Sequence, residues 1–332
     1  MKETKKHVRV ILLGGTIASV ENEKGLAEVV DLSEYVKMFH ELDEAVNITV
    51  NSFKQLSGYE TKISDIVQTA DEIKRTIRED SVDGIVVIMG TNVMEEFAFG
   101  INLLIQTDMP IVFTGAMRTP DMRGADGSGN LISGIHVAAS DNCKGLGVLV
   151  VFNDEIHSAD YVRKLHPQNP GAFGSEFPLG YVAEGTPSIR VKPIRRPLPW
   201  LDIKTDPVDV LLYSSYIGDT GKILDKVDGL GYGGLVVEGT GYGVVAEWVF
   251  DRLEQLIKKM PVVMASRIGN GDVMTCTYGN GYGMPTYLVK HGYLISGQLD
   301  GRKARILLTF LLMSQCSNEE IHESFRRYSK FY

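Results

Sequence analysis

VRVILLGGT, residues 8–16, decides the fold. Val8 to Leu13 is rich in β-branched residues and leucine, lacks a regular in–out alternation, and stops at Gly14 and Gly15. Such a run suits a strand covered on both faces, as in a parallel sheet flanked by helices. Moving outward, Asn47–Phe53, Gly84–Ile88, Ile111–Phe113 and Gly147–Phe152 read as four more strands. Between them, residues 64–79 carry helical spacing (Ile66, Val67, Ala70, Ile73, Ile77), and residues 94–105 form a second helical stretch. A further helix is expected over 32–39 with Asp31 as its N-cap, and a loop over 118–129. Strands that alternate with helices predict a doubly wound α/β sheet.

Residues 190–207 break the rhythm with Pro193, Pro197, Pro199 and Pro207 beside Arg195 and Arg196. Proline disfavours both helix interior and central strand, so this stretch reads as a linker. Alternation resumes at 208–213, 234–237, a helix over 246–258, and 262–265. The expected organisation is a larger N-terminal α/β domain (1–189), the linker (190–207) and a smaller C-terminal α/β domain (208–332). A chain of 332 residues is too long for one comfortable core, which agrees with two.

The net charge of −8 argues against a nucleic-acid partner, and no apolar run reaches the roughly 18 residues of a membrane span. The apolar part of the N-terminus is shorter than a signal-peptide core and ends in glycines that belong to the fold. Cys143, Cys276 and Cys316 are odd in number and far apart, matching neither a metal motif nor a disulfide framework. The histidines show no ligand spacing. A cytoplasmic protein with no metal and no cofactor is the expectation.

In open α/β sheets, ligands bind beyond the carboxyl ends of the strands. Three polar clusters fall there: Gly14-Gly15-Thr16, Gly90-Thr91-Asn92, and Asn153-Asp154-Glu155 leading to Lys164. Glycines let a backbone approach a ligand, and the N–H groups beyond them can hold an oxyanion. A hydroxyl needs a base beside it to become a nucleophile, and a lysine drawn out of water holds its proton less tightly. Two threonines and a lysine thus make a coherent hydrolytic set. Each also has a plainer reading: Gly15-Thr16 as a turn with a cap, Thr91 as a cap for the helix at 94, Lys164 as a surface lysine. The run Glu238–Gly243 (EGTGYG) fits a phosphate loop only loosely and is better explained as a tight turn.

Across nearly its whole length the chain resembles the bacterial-type L-asparaginases. ILLGGTIAS (11–19), IVVIMGTNVMEEFAF (85–99), TGAMR (114–118), GADGSGNL (124–131) and NDEIHSADYVRK (153–164) follow in family order. GGLVVEGTGYG (233–243), VVMASRIGNG (262–271) and KARILLTFLL (303–312) continue it. The resemblance implies a two-domain fold with a left-handed crossover in the larger domain. It also implies acyl transfer on a small amide without metal or cofactor, and a homodimer or homotetramer with sites at the subunit interface. By alignment Thr16 is the nucleophile, Thr91 the second threonine, Lys164 its lysine, and Ser57 the residue that holds the substrate carboxylate. Gly15 and Gly90 shape the site.

The departures bear on substrate. The family's Gly-Thr-Asp-Thr is here Gly90-Thr91-Asn92-Val93, so a carboxylate that would pair with the α-ammonium of asparagine is a neutral amide. Two further polar family positions fall on Val244 and near Pro285, and the lid segment 19–30 has no tyrosine; Tyr59, Glu21 or Glu23 are its candidate substitutes. The expectation is an amidohydrolase acting on a substrate other than free L-asparagine. The alternatives are a conventional L-asparaginase that tolerates Asn92 and a non-catalytic ligand-binding homologue. An amidotransferase subunit acting on misacylated transfer RNA would carry an N-terminal extension, whereas here the first strand begins by residue 8.

Overall fold

The structure, a computed structural model, describes residues 5–15, 46–278 and 281–329, and the backbone of 19–21 and 27–29. The chain forms two compact units, Met1–Arg195 and Arg196–Tyr332. The division falls inside the proline-rich stretch. Arg195 donates to the carbonyl of Thr107 in the first unit at 3.5 Å, whereas Trp200 Nε1 donates to Ser324 Oγ in the second at 2.8 Å.

In the first unit the elements run β1 (Lys6–Leu12), the hairpin β2 (Ser19–Glu21) and β3 (Ala27–Val29), β4 (Val46–Ser52), α1 (Ile63–Glu79), β5 (Gly84–Ile88), α2 (Met94–Leu104), β6 (Ile111–Thr114), α3 (Gly127–Ala139) and β7 (Val148–Phe152). Short strands follow: β8 (Glu155–Ser158), β9 (Arg163–Lys164), β10 (Phe173–Gly174), β11 (Gly180–Ala183) and β12 (Thr186–Ile189). Among the described residues eight strands join in the order β12-β11-β8-β7-β6-β5-β1-β4. The five from β7 to β4 are parallel. The remaining three add antiparallel to the β7 edge, so the sheet is mixed rather than purely doubly wound.

Every residue of β5, β6 and β7 is buried, because α2 and α3 leave these strands no solvent face. Val8, Val10, Val86, Ile88, Val112 and Val151 share one core with Leu131 and Ile135 of α3. Across the sheet, Phe97 of α2 meets Phe113 of β6 with ring centroids 6.0 Å apart. α1 has a single apolar face (Ile66, Ala70, Ile73), which is what its sequence spacing requires. Outside residues 16–45, the expected strand and helix positions of 8–113 recur within a few residues. The loop expected up to 129 is cut short, because α3 begins at Gly127; a Gly-Ser-Gly start hides a helix whose later residues are buried apolar ones. The helix expected over 32–39 lies outside the described residues.

The chain runs from β1 to β4 on one side of it, then crosses to β5 on the other. This is a topological switch point, and the crevice beyond the ends of β1 and β5 is where such sheets bind ligands.

The second unit has a parallel sheet ordered β13 (Val210–Ser214), β14 (Gly234–Gly239), β15 (Val262–Ser266), β16 (Leu294–Ile295). It is covered by α4 (Leu224–Val227), α5 (Glu247–Leu256), α6 (Pro285–Lys290), α7 (Gly301–Met313) and α8 (Asn318–Arg326). Leu235, Val237, Phe250, Leu253 and Met264 are central to its core. Asp300 caps α7 through the N–H groups of Arg302 and Lys303, and Ser317 with Glu320 forms a capping box on α8. No described helix is long and apolar enough to cross a membrane.

Candidate active site

Three backbones converge beyond β1, β4 and β5. Gly14 and Gly15 turn the chain out of β1 at φ of +92° and +106°, a region that excludes a side chain at little cost only for glycine. A Cβ on Gly15 would stand 2.4 Å from the amide nitrogen of Gly90, so only hydrogen fits between the two strand ends. A Cβ on Gly90 would meet the Cα atoms of Gly15 and Gly58, each at 3.7 Å. The loop after β4 is held there by the Leu56 N–H, which donates to the Leu13 carbonyl at 2.8 Å. Ser57 precedes Gly58 on this rim and is exposed. Asn92 is exposed too, and its Cβ and Nδ2 would lie 3.2 Å from a Cβ on Gly58. Gly15, Ser57, Gly90 and Asn92 therefore come together at the carboxyl ends of β1 and β5, where sheets of this kind leave a hollow for ligands. Thr16, the expected nucleophile, lies outside the described residues, one position beyond Gly15.

Behind the hollow sits a buried pair. Lys164 Nζ donates to Thr91 Oγ1 at 2.8 Å, and Thr91 is only 6% exposed. The cap reading of Thr91 is corrected: the N-cap of α2 is Val93, without a side-chain cap bond, and the threonine hydroxyl is engaged by lysine instead. Nor is Lys164 a free surface lysine; it is half-buried, on β9. Its backbone N–H donates to the Glu95 carboxylate. Burial pushes the Lys164 amine below the usual lysine range, and the nearby Glu95 charge works against that push. An amine in that condition gives up its proton more readily and can accept one from the hydroxyl it touches.

Glu95 is a site residue that motif reading missed. It is 3% exposed and sits four residues beyond Thr91, at the start of α2. Thr91 and Glu95 thus grip Lys164 at its two ends, amine and backbone. Thr91 precedes the helix and Glu95 lies in its first turn, so no helical spacing links the two in the sequence. Gly58 was missed as well; its place next to Ser57 and against Asn92 shows only in three dimensions.

Surrounding loops are tied down by carboxylates and amides. Asp126 accepts from the N–H groups of Met117 and Arg118 at 2.9 Å each. Asn130 Nδ2 donates to the Gly115 carbonyl at 3.0 Å, and its Oδ1 accepts from Asn153 N–H at 2.8 Å. Asn153 and Asp154, expected as a third polar cluster, make a left-handed turn (φ 50° and 63°) into antiparallel β8. Among the described residues no three His, Cys, Asp or Glu side chains gather as metal ligands.

In the second unit, the glycine run after β14 closes a tight turn. Thr240 N–H donates to the Val244 carbonyl at 2.7 Å and Gly243 N–H to the Thr240 carbonyl at 3.0 Å. Pro285 opens α6. Tyr59, a candidate for the missing lid tyrosine, is 80% exposed. Of the other two candidates, Glu21 lies on β2 with only its backbone described, and Glu23 lies outside the described residues.

Comparison with known proteins places this geometry in context. The model of the asparaginase N-terminal domain matches residues 7–195, and that of the glutaminase/asparaginase C-terminal domain matches 209–325. An L-asparaginase from Bacillus licheniformis is 32% identical over 323 residues, covering 93% of this chain and 96% of its own. A glutaminase-asparaginase from Acinetobacter glutaminasificans is 28% identical, covering 98% of this chain and all of its own. The crystal structure of a probable cytoplasmic L-asparaginase from Campylobacter jejuni matches with a TM-score of 0.85 at 28% identity, over 98% of this chain and 100% of that one.

Proposed function

This chain belongs to the asparaginase family of amidohydrolases, and we propose that it cleaves an amide C–N bond through an acyl-enzyme on Thr16, with Thr91 and Lys164 moving the proton. The observation that carries this reading is the 2.8 Å contact between Lys164 Nζ and the buried Thr91 hydroxyl. In the proposed sequence, Thr16 attacks the amide carbonyl and its proton passes toward the Thr91–Lys164 pair. That proton then reaches the leaving nitrogen, which departs as amine or ammonia. Water attacks the resulting ester and restores Thr16. N–H groups of the glycine-lined hollow, near Gly15 and Gly90, are the candidate donors to the oxyanion. Incubation with an amide or ester substrate, acid quenching and peptide mass spectrometry test this: the acyl mass is expected on Thr16 and on no other residue. An acyl group on a different side chain, or steady turnover by a Thr16→Ala variant, would sink the mechanism.

The substrate we propose is an amide without a free α-ammonium group. Support comes from Asn92, exposed beside the hollow, which offers no charge to such a group. Leaving a paired ammonium without its carboxylate costs about 2–5 kcal/mol. Apolar Val244 and Pro285 point the same way. The second reading is a conventional L-asparaginase, favoured by the names of the relatives. We further propose a soluble, cytoplasmic enzyme that assembles as a homodimer or homotetramer.

A further inference from the structure

Lys164 does not stand on a long element. β9 is two residues, and its partner β10 is also two, with Phe173 opposite Lys164 and Gly174 opposite Arg163. So short a hairpin has no stability of its own and must be fixed by what it is tied to. Two ties lie on the β10 side. The ring of Phe173 packs against Phe152 of β7 with centroids 4.7 Å apart. The next residue after β10, Ser175, has its Oγ 2.9 Å from Nδ1 of His157. His157 lies on β8 and is fully buried. Its other ring nitrogen, Nε2, stands 3.2 Å from a Glu155 carboxylate oxygen without making a hydrogen bond to it. The Ser175 contact is therefore the ring's side-chain hydrogen bond, with the donor set by the tautomer.

We propose that the His157–Ser175 hydrogen bond is a positioning device that holds the β9–β10 hairpin on the sheet and thereby sets the Lys164 amine against Thr91; this rests on the reading of Lys164 as a catalytic group. The alternative for a serine hydroxyl hydrogen-bonded to an imidazole is a second nucleophilic site. It fails on chemistry: burial lowers the proton affinity of His157 to a pKa of about 4, too weak a base to activate a serine at neutral pH. The same property makes the imidazole a good strut, since it stays neutral and keeps one hydrogen-bond pattern throughout the ordinary pH range. Glu95 fixes Lys164 through its backbone from the α2 side, and His157, through Ser175, fixes the opposite strand of the hairpin. Together they leave the amine little freedom to swing away.

The test uses the full chain with lysine labelled with 13C at Cε, the Lys164 signal being assigned from a Lys164→Arg variant. Ser175→Ala is the primary variant because Ser175 is only partly buried, and Ser175→Thr is its conservative control. His157→Leu is the second route. In Ser175→Ala and His157→Leu the Lys164 titration midpoint should rise toward the 10.5 of an ordinary lysine. In the same variants kcat should fall on the order of tenfold with KM within twofold, the expected scale for a displaced catalytic group. Ser175→Thr should restore both. An unmoved Lys164 midpoint in folded Ser175→Ala overturns the proposal, and so does covalent labelling of Ser175 by a fluorophosphonate. Should Lys164→Met keep full kcat, the catalytic reading of Lys164 falls, and the titration midpoint still decides the anchor.

Discussion

In each unit a central strand is followed by Gly-Thr: Gly90-Thr91 after β5 and Gly239-Thr240 at the end of β14. The two threonines have different fates. Thr240 turns its hydroxyl onto the Val244 carbonyl at 3.1 Å, closing its own loop. Thr91 presents its hydroxyl to Lys164, 73 residues away in sequence. One closes a turn and the other is half of the pair proposed to move the proton, although the local sequence is nearly the same. The difference lies in what the rest of the fold brings to the strand end: a half-buried amine in one case, a backbone carbonyl in the other.

That contrast can be broken or sharpened by mutation. The largest effect should come from Lys164→Met, which keeps the stem and removes the amine. We expect kcat to fall about 10²–10⁴-fold with the melting temperature held within a few degrees. Thr91→Val should cost activity on a similar or slightly smaller scale, whereas Thr240→Val should leave kcat unchanged. If Thr240→Val cuts kcat as deeply as Thr91→Val, the two strand ends are not functionally distinct. Next in size is Asn92→Asp. Restoring a carboxylate beside the hollow should improve kcat/KM for asparagine relative to neutral amides by roughly 2–5 kcal/mol, or tens- to thousands-fold. No change in that ratio would remove Asn92 as the discriminating residue.

Smaller again is a stability effect tied to the hairpin anchor. His157 has a folded pKa of about 4 against 6.5 for the free side chain. The unfolded chain therefore binds a proton that the folded chain does not between those values. Stability is full above pH 6.5 and declines as pH falls through the window, by about 3 kcal/mol in all, from roughly 1.4 kcal/mol per pH unit. His157→Leu should flatten that part of the pH–stability curve in urea melts; an unchanged slope would mean the buried imidazole is not what titrates. The smallest expected change is the stability cost of Thr240→Val, about 1 kcal/mol for one lost hydrogen bond.

The sheet was legible where burial on both faces writes a continuous apolar run, as in β1, β5 and β7. It was not legible at β8, β11 and β12. Those antiparallel strands are short and mix polar residues with apolar ones, as in GYVA at 180–183, half of it exposed. α3 escaped notice because its first turn is glycine-rich. At the site, Gly15 and Gly90 could be picked out because both follow buried strands at the switch point. Lys164 was a candidate from its place after the third polar cluster, and the family resemblance gave it a role; nothing in its neighbours marks a two-residue strand bound to Thr91. Glu95 and Gly58 needed the coordinates: one is a buried carboxylate that serves a backbone N–H, the other a glycine whose missing side chain makes room for Asn92.

The central claim is an asparaginase-family hydrolase turned toward amides without an α-ammonium group. It is tested most directly by kcat/KM for L-asparagine set against its N-acyl derivative and simple neutral carboxamides, with Lys164→Met as the blank. A neutral amide should be hydrolysed at least tens-fold more efficiently than asparagine, as an unpaired ammonium requires, and Lys164→Met should lose this activity. Asparagine turned over more efficiently than every neutral amide would contradict it.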